Sequence, residues 1–226
     1  MVDLWFAKLP ENDFSLEALL SPDEMHRASR FRFDGDAANF VVRRGILRLI
    51  LAGYTGVPPS QVTFSYSQSG KPALHECFFD TRFSMSHSGA CAVYAVARER
   101  EVGVDLEHLR QQPLEISRIA GSFFSESQIA ALNDTAADHQ EEMFLHLWTQ
   151  LEARGKARGT GIGQVDPRSN DAFAGKCSSF TRLTPSPGYV AALAVQGWDC
   201  CSVRTLGFHM VHHMRFKEVD CKYDAR

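Results

Sequence analysis

Two carboxylates, Asp105 and Glu107, stand two residues apart in EVGVDLEHLR, the stretch covering residues 101–110. Val102, Val104 and Leu106 alternate with them as in a strand, where residues two apart point to the same side. The two like charges therefore project together. A divalent cation relieves such repulsion, and hard oxygen ligands with room for water suit Mg²⁺. Taken alone, the pair is equally well explained as a solvated strand edge or as a partner of Arg98, Arg100 or Arg110. A third carboxylate comes from FLHLWTQLEARGKARGTGI, residues 144–162, where Glu152 and Lys156 are four apart and share a helix face with Thr149. The plain reading of that spacing is an i,i+4 ion pair worth ~0.3–0.5 kcal/mol. FSMSHSGA, residues 83–90, offers hydroxyls, backbone N–H groups and an imidazole, all suited to phosphate oxygens. Lys71, in the turn SGKP, can reach the same anion. Ser86 and His87 are not a hydrolase pair: neighbours in a turn do not face each other, and no G-x-S-x-G is present.

These residues need elements to hold them. SPDEMHRASRF, residues 21–31, opens with a Ser N-cap, Pro at the first helical position and acidic residues in the first turn. Val41, Val42, Ile46, Leu49 and Ile50 recur near helical spacing and predict a second helix over 36–53. VTFSYS (62–67) alternates as a strand. A strand up to Ser84, a polar turn at 86–89 and a strand over Cys91–Ala97 follow, so that 91–106 reads as a hairpin. Residues 114–134 read as two helices broken at FFS, with Ser125 capping the second. The longest helical pattern spans 138–158, with Met143, Phe144, Leu147, Trp148 and Leu151 on one stripe. Three short strands follow, and the nearly all-apolar GYVAALAV is the central one. Helices followed by antiparallel strands in each half predict an α+β fold of two similar lobes.

With 226 residues, the chain has ample length to bury a core in one large or two small domains. Its net charge of −3, from 24 basic and 27 acidic residues, gives no electrostatic case for nucleic acid or an anionic membrane as the partner. No run approaches the ~20 apolar residues of a membrane span. The first residues lack the pattern of a secretory signal, so a cytoplasmic protein is expected. The six cysteines lack C-x-x-C spacing and predict reduced, structural thiols. HMVHH (209–213) carries metal-ligating side chains without a cysteine or carboxylate at ligand spacing, and reads as a solvated tail.

Taken in order, GKP, FSMSHSG, VGVDLE, FFS and F-x-x-x-WT-x-x-EA-x-x-KA-x-G-x-G resemble the 4′-phosphopantetheinyl transferases. The match is to the surfactin-synthetase-activating type, in which one chain folds as a pseudo-dimer of two α+β lobes. LSPDE, RRGILR and PGYVAALAV fit the same family, and coverage runs from about Leu20 to Val195. The resemblance implies small, mainly antiparallel sheets packed on helices, with an N-terminal lobe over 1–110, a C-terminal lobe over 111–205 and a tail over 206–226. It implies transfer of the phosphopantetheine arm of coenzyme A to a serine of an apo acyl or peptidyl carrier protein, releasing adenosine 3′,5′-bisphosphate. By the same resemblance, Asp105, Glu107 and Glu152 ligate Mg²⁺ on the pyrophosphate. Lys156 contacts the phosphates and neutralises the leaving group, and Glu152 is what is left as a base. Ser86 and His87 lie by the 3′-phosphate and adenosine end, and Lys71 lines the nucleotide pocket.

The pattern is not followed everywhere. Many relatives carry arginine at the position of Asn39, which leaves Arg27, Arg43 or Arg44 to hold the 3′-phosphate. Gln128 stands where an alternative base falls, Leu151 where a lysine is usual, and Gly155 interrupts the helix before Lys156. These departures make a catalytically weakened coenzyme A- or carrier-binding homologue the alternative reading. A metal-dependent phosphohydrolase is a more distant one, lacking a second metal cluster. A monomer is expected, because two lobes in one chain complete the site.

Overall fold

A computed structural model describes residues 1–11, 13–75, 80–109, 116–160, 178–183, 186–197, 202–209, 215–218 and 223–224. The chain opens with strand β1 (Val2–Lys8), in which Val2, Leu4 and Phe6 alternate with Asp3, Trp5 and Ala7. It lies in the middle of a five-stranded sheet. The order is β10 (Arg215–Glu218), β9 (Val203–His209), β1, β5 (Cys91–Arg98) and β4 (Thr81–Ser88). β1 runs antiparallel to β5 and parallel to β9. The second sheet has the order β11 (Tyr223–Asp224), β7 (Ser178–Leu183), β8 (Tyr189–Gln196) and β6 (Val102–His108). The all-apolar β8 is an inner strand, as its composition predicts. A short hairpin, β2 (Phe64–Tyr66) with β3 (Pro72–Leu74), stands apart.

Among the described residues five α-helices cover the sheets: α1 (Pro22–Ala28), α2 (Asp34–Thr55), α3 (Ile116–Phe123), α4 (Glu126–Asn133) and α5 (Gln140–Arg158). Ser21 and Ser125 cap α1 and α4 as capping boxes with Glu24 and Gln128, satisfying N–H groups that a helix start leaves free. The apolar stripe of α2 (Val42, Ile46, Ile50) packs on Trp5, Phe83 and Tyr94. A middle layer joins the two sheets, with Val2, Leu4, Val93 and Ala95 against Val104, Leu106, Leu193 and Val195. On α5, Phe144, Leu147 and Leu151 pack with Phe124 and Leu132. Each large apolar side chain buried in these layers contributes roughly 1.5–3 kcal/mol. Among the described residues no helix is long and apolar enough to cross a membrane.

Two expectations change. Residues 91–106 form no hairpin: β5 pairs with β1 and β4, while β6 pairs with β8. Both edges of β5 are taken, so the chain turns through Glu99, at φ 58°, and crosses to the other sheet. Residues 86–88 are strand rather than turn, and the reversal falls at Gly89, at φ 55°. The serines of β4 stay in strand geometry because their hydroxyls find partners across the next edge. β6 is hydrogen-bonded into the second sheet, and β9, which spans the start of the expected tail, returns to the first.

Candidate active site

Helix α5 lies across the face of β6 that carries Gly103, Asp105 and Glu107. A Cβ at Gly103 would fall 1.9 Å from Ala153 O and 2.4 Å from Ala157 N, so only glycine admits the helix this closely. Ala192 and Ala194 of β8 complete the small-residue floor beneath Ala153 and Ala157. The close approach puts Lys156 Nζ 2.7 Å from Asp105 Oδ1 and 3.0 Å from Ser86 Oγ. Asp105 is 4% exposed, and its other oxygen, Oδ2, is buried without a hydrogen-bond partner. Glu152, one turn before Lys156, has its carboxyl held above the usual carboxylate range. Burial is the main cause; Asp105 and Glu107 add to it, and Lys156 opposes it. The three carboxylates thus act on one another across two elements. Thr149 is not part of this group: it is fully buried and donates back to His146 O at 3.2 Å.

Ser84, Ser86 and Ser88 are buried on one face of β4 and aimed at the outer edge of β6. Val104 N–H donates to Ser84 Oγ and His108 N–H to Ser88 Oγ, both at 3.1 Å. Ser86 Oγ donates to Asp105 Oδ1 at 2.8 Å, and Ser88 Oγ to Glu107 Oε2 at 3.1 Å. Where two sheet edges meet inside a protein, unpaired N–H groups are costly. Here serine hydroxyls satisfy them and orient the carboxylates as well. His87, between them in sequence, points to the opposite face.

The strand borders a cleft of about 400 Å³ lined by Arg27, Arg43, Arg44, Ser86, His87 and Lys156, among others. Arg43 Nε donates to Asn39 O at 2.9 Å, and burial lowers the pKa of its guanidinium. The His87 imidazole is pushed down to about 4, by desolvation first and then by Arg43 and Lys156; at neutral pH it is uncharged. Arg27 stacks 5.4 Å from the Phe40 ring centroid. A second cavity of about 240 Å³ adjoins it, lined by Lys71, Phe83, Met85, Gly155 and Lys156. The two cavities meet at Gly70, Pro72, Met85 and Lys156.

Among the described residues, no three His, Cys, Asp or Glu side chains stand close enough to cage a metal ion; the counter-charge on Asp105 is Lys156. The donor chemistry nevertheless fits a hard divalent cation, with three carboxylates in electrostatic contact and one buried oxygen lacking any hydrogen bond. A cationic cleft beside such a cluster suits a polyphosphate.

Residues 101–189 match the 4′-phosphopantetheinyl transferase superfamily, and residues 5–99 match the family described as 4′-phosphopantetheinyl transferase, N-terminal. The 4′-phosphopantetheinyl transferase HetI of Nostoc sp. is 35% identical over 210 residues, covering 87% of this chain and 88% of HetI. The chain belongs to the 4′-phosphopantetheinyl transferases. It is of the Sfp-like type: Sfp of Bacillus subtilis is 28% identical over 145 residues, 64% of this chain and 62% of Sfp. The L-aminoadipate-semialdehyde dehydrogenase-phosphopantetheinyl transferase of Eremothecium gossypii is 33% identical over 172 residues, 70% of this chain and 61% of its own.

Within this transferase, several expected positions have structural duties. Arg44 Nε donates to Glu24 Oε1 and its Nη2 to Tyr66 OH, while the buried Arg48 holds Glu24 Oε2 at 2.7 Å. Arg44 therefore borders the cleft while sharing Glu24 with Arg48, so one carboxylate serves two guanidiniums. Lys71 Nζ sits 2.9 Å from Glu101 Oε2 and 3.5 Å from Ala157 O, so it ties the 67–71 turn to the end of α5. Ser69 reinforces the tie by donating to Gly159 O at 2.6 Å. Gln128 is spent on the α4 cap, accepting from Ser125 N–H at 2.9 Å, and Leu151 is core. α5 runs unbroken through Gly155, which lines the second cavity. Arg98 pairs with Asp80 at 3.3 Å rather than with Asp105. Arg110, residues 210–213 of HMVHH and every cysteine but Cys91, which is free, lie outside the described residues.

The sequence signal for Ser84 and Ser88 was their period of two with Ser86. Glu101 and Arg82, which meet at 2.7 Å beneath Lys71, carry no such signal.

Proposed function

We propose that this transferase moves the 4′-phosphopantetheine arm of coenzyme A onto a serine hydroxyl of an apo acyl or peptidyl carrier protein. One observation carries the reading: beside the cationic cleft, Lys156 of α5 bonds Asp105 of β6, whose second oxygen is buried without a hydrogen bond, and Glu152 lies within electrostatic reach of Asp105 and Glu107. Asp105, Glu107 and Glu152 are the residues that would hold Mg²⁺. Bound there, the ion would neutralise the diphosphate and polarise the phosphoryl group. The carrier serine oxygen forms a bond to the β-phosphorus, and the bond from that phosphorus to the bridging oxygen breaks. The electron pair leaves with adenosine 3′,5′-bisphosphate. Glu152, the carboxylate left to act as a base, takes the serine proton. Lys156 exchanges Asp105 for a phosphate oxygen and offsets charge on the leaving group. Arg27 and Arg43, with neutral His87 as an N–H donor and Ser86 beside it, receive the 3′-phosphate end. Lys71 borders the nucleotide and keeps α5 in place.

The names of the relatives support this reaction, and the cleft's charge supports the donor. The test is to incubate the protein with coenzyme A, Mg²⁺ and a panel of apo carriers and weigh each carrier. A gain of one phosphopantetheine group is expected, and loss of that gain on chelation of Mg²⁺. A panel that never gains mass would sink the proposal.

A further inference from the structure

The three seam serines divide their work. Ser84 accepts a hydrogen bond from Val104 N–H, and among the described residues no bond joins it to a carboxylate. Ser86 serves the site, bonded to Asp105 and Lys156. Ser88 does both: it accepts from His108 N–H and donates to Glu107 Oε2, each at 3.1 Å. A hydroxyl has one proton to give. With a backbone N–H occupying a lone pair, the Ser88 proton is committed to Glu107. Its direction is fixed by the strand edge, and Ser88 itself is only 5% exposed. Glu107 is half-buried on a long side chain that loses rotamer freedom when it is held. Ser88 is one of the groups that fix its carboxylate.

We infer that Ser88 is a positioning residue for the reaction, anchoring the Glu107 carboxylate to the edge of β6 so that it joins Asp105 and Glu152 as one ligand set. The neighbouring bond to His108 N–H makes the anchor part of the junction between the sheets, so its geometry is set by the backbone. The inference rests on the reading of these carboxylates as metal ligands.

The experiment compares Ser88→Ala, Ser88→Thr and Ser84→Ala in the full chain. Mn²⁺ affinity is read from the resonance signal of free Mn²⁺ with coenzyme A present, alongside thermal unfolding. Partners behind a metal ligand typically change metal affinity about 10–100-fold. Ser88→Ala is expected to weaken Mn²⁺ about 10-fold, with Ser88→Thr recovering most of that. Ser84→Ala loses an equivalent bond to a backbone N–H, so it should lower the melting temperature as Ser88→Ala does and leave Mn²⁺ affinity unchanged. Wild-type affinity in Ser88→Ala would overturn the inference, as would equal weakening in Ser84→Ala, which would assign the effect to the seam as a whole. If the wild-type protein bound no Mn²⁺, the metal reading itself would fall, and the inference with it.

Discussion

Replacing Gly103 with alanine puts one methyl group where α5 crosses β6. The new Cβ would lie 1.9 Å from Ala153 O and 2.4 Å from Ala157 N. Carbon and oxygen ordinarily meet no closer than about 3.3 Å, so helix and strand must part by more than roughly 1 Å. The obstructing atoms are backbone, and no side-chain rotation relieves them. Lys156 rides on the displaced turn, and its 2.7 Å bond to Asp105 stretches beyond hydrogen-bonding range. Overpacking of this kind costs about 1–3 kcal/mol of stability. Misplacing a catalytic group by about 1 Å costs on the order of 10²-fold in rate. Urea unfolding and steady-state transfer to one carrier should show both losses together. Adding Ala153→Gly should not rescue either, because the clash is with the peptide backbone. A Gly103→Ala protein with wild-type stability and kcat/KM within about twofold of wild type would refute the packing argument.

Other outcomes follow from the same geometry. Lys156→Met leaves Asp105 buried without its counter-charge and should cost about 1–3 kcal/mol. Excess Mg²⁺ should return part of that stability by binding the native state, as a melting series with and without the ion would show. Glu24→Gln strands Arg44 and Arg48 and should cost about 3–5 kcal/mol at neutral pH. Burial raises the Glu24 carboxyl, but bonds from Arg48 and Ser21 N–H and the charge of Arg44 outweigh it and hold the pKa below its usual value. Its contribution is therefore full above the unfolded value of about 4.3 and lost as pH falls through the lower folded one. Glu24→Gln should flatten that part of the acid limb in urea titrations. His87 should titrate near 4 in nuclear resonance spectra, against about 6.5 in the unfolded chain. The stability it supports is complete above about 6.5 and declines as pH falls toward 4; a midpoint near 6.5 in the ligand-free protein would contradict its placement.

Much of this was legible in the residues themselves. Spacings of two and four fix which side chains share a strand or helix face, so Asp105 with Glu107, and Glu152 with Lys156, had to project together. Ser21 and Ser125 announced two helix starts, and GYVAALAV could only be an inner strand. What escaped depended on distant partners. β1 is a short alternation that becomes central only by pairing with residues 91–97 and 203–208. The serines of β4 have turn chemistry in isolation; their strand geometry depends on the β6 edge, some twenty positions later. Arg44 looked free because Glu24, its partner, lies twenty residues earlier, buried on another helix. Nor does local pattern show that β5 and β6, adjacent in sequence, belong to different sheets.

The central claim is that carboxylates from β6 and α5 together hold the metal on the diphosphate of coenzyme A. A crystal of the complex with Mn²⁺ and coenzyme A, measured for anomalous scattering, tests it directly. The expected map has one manganese peak in contact with Asp105 Oδ2 and shared by Glu107 and Glu152, with Lys156 moved onto a phosphate oxygen. A peak bound only by phosphate oxygens, with Lys156 still on Asp105 Oδ1, would contradict it.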